Sequence, residues 1–216
     1  MHKPRWLKLL LFAIISQTTY GTYADQLMPI KLPVPQTSGG MPLMEALKDR
    51  HSTREFSTKA LSQQQLADLL WAAAGVNRTQ SGKRTAPSAR DWRETDIYVV
   101  MADGAYRYDA VANELKPVVD RDIRALTGMQ DFVASAPLNL VYVADFNRMD
   151  DAGDEQKAFY SAADTGFIAQ NVYLYCASAG LGAVVRGSVD RKTLASALKL
   201  APHQRITLAQ TVGYPK

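Results

Sequence analysis

Apolar positions three and four apart mark the first helix: LMEALKDR follows Pro42, a residue suited to a helix start. A second helix begins at Ser62, where Ser62-Gln-Gln-Gln65 reads as a capping box. Leu66, Leu69, Leu70 and Ala73 form its apolar face and Gly75 stops it. Residues 77–95 are polar and basic, with no structural period. Asp96–Ala102 (DIYVVMA) then predicts a strand, Asp103-Gly104 a hairpin turn and Ala105–Asp109 the return strand. A short helix is expected near 120–127 and a strand over 138–145 (LNLVYVAD). Asp154–Ala179 carries the longest helical pattern, closed by Gly180. From Phe167 onward it is apolar on nearly every face, which predicts a central, buried helix. Ala183–Val189 reads as a short strand, Asp190 as the cap of a helix to about Lys199, and Arg205–Val212 as the last strand. Helices and strands mix without steady βαβ alternation, so the expected class is α+β, one domain over 41–216. Ahead of it, residues 25–40 read as an extended arm, Pro- and Gly-rich.

Charge changes the picture at the N-terminus. The chain has 25 Lys+Arg against 21 Asp+Glu, a net +4. Lys3, Arg5 and Lys8 supply three of those units in residues 1–24, which hold no acid; the other 192 residues carry 22 bases and 21 acids. A basic start, the apolar run Leu7–Ile15 and Thr22-Tyr23-Ala24 before Asp25 compose a secretory signal peptide over 1–24. The run is too short to span a bilayer, for which roughly 20 residues are needed. The expectation is a periplasmic or secreted protein, cleaved near Ala24 and held to no membrane afterwards. A nearly neutral domain is also not built for nucleic acid, which calls for a broad basic stripe.

The lone Cys176 excludes an internal disulfide and Cys-rich zinc sites; with three histidines and no HExxH, no metal site is expected. No GxSxG is present, and Cys176 falls mid-helix among apolar residues as a core thiol would. The acids Asp145, Asp150, Asp151, Asp154 and Glu155 gather at a loop and helix start, where the helix dipole accounts for some of them. Arg50-His51-Ser52-Thr53-Arg54 lies between two helices. If it is extended, 50, 52 and 54 share one side, and two guanidiniums flanking a hydroxyl suit a phosphate. A solvated basic linker is the other reading. Ala86-Pro87-Ser88 is a rigid turn of small residues that lets a flat ligand approach, or part of a surface loop. Gly180-Leu-Gly182 through Gly187 has the wrong spacing and context for a dinucleotide fingerprint; Gly187-Ser188 at a strand end can offer backbone N–H groups.

Taken in order, RHSTREFSTKALSQQQLADLLWAAAGVNR, RTAPSA, DIYVVMADGAYRYD, DTGFIAQNVYLYCASAGLGAVVRGSVD and TLAQTVGYP resemble the FMN-dependent nitroreductase family, and most closely its SagB-type dehydrogenase branch, over about residues 41–215. The resemblance implies a nitroreductase-like α+β fold: an antiparallel-rich central sheet flanked by helices around a long central helix, in a homodimer with two FMN sites built from both subunits. It implies that Arg50, His51, Ser52 and Arg54 bind the flavin, with the arginines at the phosphate and the N1/O2 edge. Pro87 and Ser88 come from the partner subunit to pack at the ring, and Gly187 and Ser188 present N–H toward N5. The chemistry is then the cofactor's own, hydride passing through N5 to or from a small conjugated or nitro-type substrate, with no catalytic side chain. Other readings of the same resemblance are a flavin-binding module without turnover, or flavin cleavage or dehalogenation. The chain departs from the branch at Arg90-Asp91-Trp92-Arg93-Glu94, on the substrate side. Lys216 stands where many members carry a basic pair for the phosphate. Export also separates the chain from NAD(P)H, the family's usual electron donor.

Overall fold

The computed structural model describes His2 and residues 27–216; the signal-peptide reading otherwise falls outside the described residues. Seven strands form one antiparallel sheet in the order β1-β6-β5-β4-β7-β9-β8. They are β1 (Ile30–Lys31), β4 (Thr95–Val100), β5 (Ala105–Asp109), β6 (Glu114–Val119), β7 (Leu138–Asp145), β8 (Gly182–Arg186) and β9 (Gln204–Gly213). The helices are α1 (Leu43–Asp49), α2 (Gln63–Ala74), α3 (Asp154–Ser178) and α4 (Arg191–Ala197). This is the expected α+β class.

Period-two alternation divides the central strands between two cores. Ile97, Val99, Leu138, Leu140 and Tyr142 face α2 and α3, while Tyr98, Val100, Val141 and Val143 face α4. With both faces covered, β4 and β7 read as nearly continuous apolar runs. Local signals also hold. The Ser62 capping box forms with Gln65, and Gly75 ends α2. Asp190 caps α4 through Thr193 N.

Three expectations need correction, and one strand has no pattern in the sequence. Residues 77–95 are not without structure: β2 (Val76–Arg78) and β3 (Lys83–Arg84) pair as a small second sheet, and Ala89–Asp91 makes a 3-10 turn. The helix near 120–127 is a 3-10 turn over Arg124–Thr127. Strand β6 carries no clear strand pattern because Pro117 interrupts it; β1 pairs with it only at Glu114 and Leu115, so the missing N–H at 117 costs no bond to β1. Lastly, α3 is covered on one side only. Ser161, Asp164, Thr165, Ile168, Ala169, Val172 and Cys176 are buried, whereas Phe159 is 67% exposed and Phe167 47%. The buried face thus mixes three polar groups with four apolar ones, and two aromatic rings stand on the open face.

The described part of the arm lies on its own domain. Leu32 enters the core, Gln36 N donates to Asp68 and Met41 N to Ser178.

Candidate functional site

Arg50–Arg54 is extended and docks on β8, the outer strand of the sheet. Ser52 bridges Ala183 in parallel, and Thr53 N donates to Ala183 O at 2.9 Å. Gly182 allows this approach, since a Cβ there would come within 2.7 Å of the Thr53 side chain. Thr53 faces the sheet, and the residues on either side turn the other way. The Arg50 guanidinium lies over the Tyr173 ring, 5.3 Å from its centroid, and Ser52 Oγ is 2.9 Å from the Tyr173 hydroxyl. That hydroxyl also accepts Val185 N–H at 2.8 Å. Whichever hydroxyl of the pair donates, one proton remains available to a ligand. Arg50 and Arg54 have no carboxylate partner among the described residues. His51 turns aside, with Nδ1 2.8 Å from Asp49 O.

Two more groups converge here. Lys216 N donates to Glu55 O, and Pro215 bridges Phe56, so the C-terminal residue lies beside Arg54. Along β8, Val185 N–H points to the free edge of the sheet; the alternation of an antiparallel ladder turns the N–H of Gly187 the same way. A side chain at 187 would meet only Leu208, at 3.8 Å. Met129 N donates to Ser188 O and Val189 N to Gly187 O, which fixes this strand end. Arg186, 4% exposed, supports it from behind by donating to Thr127 O and Asn139 Oδ1.

Pro87 and Ser88 lie elsewhere. They line a cavity of about 230 Å³ that none of residues 50–54, 187 or 188 reaches. Ser88 Oγ donates to Glu94 Oε2 at 3.2 Å and accepts Arg93 N–H at 2.9 Å, and Ala89 N donates to Asp164 at 2.8 Å. Glu94 is fully buried, and its carboxyl is pushed above the usual range by burial and, less, by Asp164. The departing loop is strained, since Arg90, Asp91 and Arg93 all have φ between 50° and 59°. Cys176 is a buried thiol with a raised pKa, a core residue as expected. Of the acids near 150, Asp145 pairs with Arg148 and Asp151 with Arg90.

The expected site residues therefore form two groups in one chain; Tyr173 joins the first without a sequence signal, and Arg84 lines the cavity of the second. The profile of the nitroreductase family matches residues 47–214, from just before the Arg50 segment to just after β9. The chain belongs to the nitroreductase family. MJ1384 of Methanocaldococcus jannaschii, assigned as a nitroreductase, is 31% identical over 168 residues, 73% of this chain and 84% of that protein. A crystal structure of a Ralstonia eutropha protein with the same assignment is 48% identical, with a TM-score of 0.84 over 87% of this chain and 90% of that one. The NADPH:FMN oxidoreductase of Vibrio harveyi shares the fold at 22% identity, with a TM-score of 0.61 over 81% of this chain and 69% of its own. The antiparallel seven-stranded sheet with its flanking helices is thus the nitroreductase fold, and oxidoreductase chemistry comes with the family.

Proposed function

We propose that this nitroreductase-family protein is an FMN-dependent oxidoreductase of the SagB-type branch, working as a homodimer that shares two FMN sites. The observation that carries the reading is the docking of Arg50–Arg54 on β8, which gathers two guanidiniums with no carboxylate partner among the described residues, a free hydroxyl proton and the outward Gly187 N–H along one sheet edge. A donor set of this kind fits a flavin phosphate at Arg50, Ser52 and Arg54, with Lys216 beside them, and leaves Gly187 and Ser188 to address the ring. When bound, FMN supplies hydride transfer to a small conjugated or nitro-type substrate. The chain's residues bind and orient: Tyr173 holds Ser52 and stacks under Arg50, and Arg186 holds the 187–188 backbone in place.

The dimer is supported by the separation of Pro87 and Ser88 from the phosphate-type residues, since a second copy is needed to bring the groups together. It is supported also by the open faces of α1 and α3, which pack on each other: Leu43, Met44, Phe159 and Phe167 would otherwise be left to water. Incubation with FMN followed by desalting tests the cofactor: the protein should retain one FMN per chain and release it on denaturation. Export rests on Lys3, Arg5, Lys8 and the run Leu7–Ile15. Fractionation of cells expressing the full chain should recover a shortened product outside the cytoplasm. Recovery of the uncut chain in the cytoplasm would refute export while leaving the flavin reading intact.

A further inference from the structure

The cavity behind Pro87 and Ser88 lies in a fork of the sheet. The β4–β5 register ends at Tyr98–Arg107, yet β4 extends back to Thr95 and β5 on to Asp109. Beyond that point each strand keeps only its outer neighbour, β7 or β6, and the two inner edges part around the cavity. A gap between inner strands leaves main-chain donors and acceptors facing it.

The side chains in the fork are unevenly satisfied. Each lining acid already has partners: Asp96 holds Arg148 through two bonds, Asp109 holds Lys116 and two backbone N–H groups, Asp164 accepts Ala89 N–H, and Glu94 accepts from Ser88 and Thr95. Arg93, Arg107 and Arg148 each sit beside a carboxylate. Arg84 does not. Its Nη1 donates to Ala74 O at 3.1 Å, which fixes the plane of the guanidinium. Its Nε is buried without a partner, and Nη2 on the same edge makes no hydrogen bond among the described residues. An anchored guanidinium with a free Nε/Nη2 edge matches the two oxygens of one planar anion. An unmatched donor edge among satisfied acids calls for an acceptor from outside the chain.

We propose that this fork is a binding site for a small carboxylate-bearing molecule, clamped through both oxygens by the Nε/Nη2 edge of Arg84. The size of the cavity sets the scale, since it is smaller than the roughly 300–1,000 Å³ of sites for drug-sized ligands. Apolar contact comes from Ala74, Ala86, Ile97 and Ile168. The ligand is thus a compact acid with a flat or short apolar body. Because Pro87 and Ser88 share the wall, the site names the substrate's handle, and only in that role does it rest on the proposed function.

Binding is tested without flavin, so that failure here and failure of the FMN reading are separate results. Calorimetric titration of the flavin-free full chain with benzoate, at fixed ionic strength, should show saturable binding of one per chain. Benzamide and nitrobenzene, alike in shape but uncharged, should bind at least about tenfold more weakly, the loss expected for a charged hydrogen bond. Arg84→Met should weaken benzoate by a similar factor. Arg84→Lys should fail to restore it, because an ammonium has no planar edge. Thermal melting checks that both variants are folded; if Arg84→Met is not, Arg84→Lys carries the test. Absence of saturable binding by benzoate, acetate and propionate at millimolar concentration would overturn the proposal. So would equal affinity for benzoate and nitrobenzene, or benzoate binding that neither variant changes.

Discussion

Arg50 and Arg54 differ from the arginines that close ion pairs by what they lack. Arg93, Arg107, Arg124 and Arg148 all lie against carboxylates, while these two have no carboxylate partner among the described residues. Arg50→Ala and Arg54→Ala should each weaken FMN binding by about 1.5–3 kcal/mol, the range for charged hydrogen bonds, as read by fluorescence titration. Tyr173→Phe keeps the ring under Arg50 but removes the hydroxyl that joins Ser52 to Val185 N. It should weaken FMN by about 0.5–1.5 kcal/mol with little change in fold. Glu94 makes a different prediction. Its folded pKa is raised, so the native state holds a proton that the unfolded chain gives up near pH 4.3. Stability from this group is full below that value and declines as pH rises through the folded pKa. Glu94→Gln should therefore melt higher than the parent at neutral pH, with the difference closing toward pH 4; a constant difference across that range would contradict a buried, proton-holding carboxyl. Spacing and residue type marked Arg50, Ser52, Arg54, Gly187 and Ser188 as candidates in the sequence, and the family resemblance gave them a role. Tyr173 and Arg84 were not marked, because nothing local tells which of ten tyrosines meets β8, or which loop arginine ends without a carboxylate.

Among the elements, α3 teaches the most. Its length and end were legible, but its burial was not. A run apolar on all faces cannot reveal whether its second face meets the same chain or another copy. The exposed Phe159 and Phe167 favour another copy. Phe159→Glu and Phe167→Glu together should shift the protein from dimer to monomer in sedimentation, without melting the domain, and FMN retention should fall with the dimer. A parent that sediments as a monomer with FMN bound would refute the shared site. Strand β6 and the β2–β3 pair were hidden for the opposite reason: their patterns are interrupted or too short, and pairing partners rather than propensity define them.

At the scale of the whole molecule, the net +4 resolves into an N-terminal share of +3 and a nearly neutral domain, whose useful charge is local. The sheet brings Arg50–Arg54, β8 and Lys216 to one edge, although they are far apart in sequence, and opens the β4–β5 fork at another place. On the proposed reading the two groups complete one site between two copies, so cofactor binding and assembly should be linked. The most direct measurement is the absorption spectrum of the purified protein after incubation with FMN and desalting, read together with its sedimentation. A yellow dimer carrying one FMN per chain, with flavin released on denaturation, is the predicted result. A colourless protein that takes up no FMN at micromolar concentration would contradict the reading at its centre.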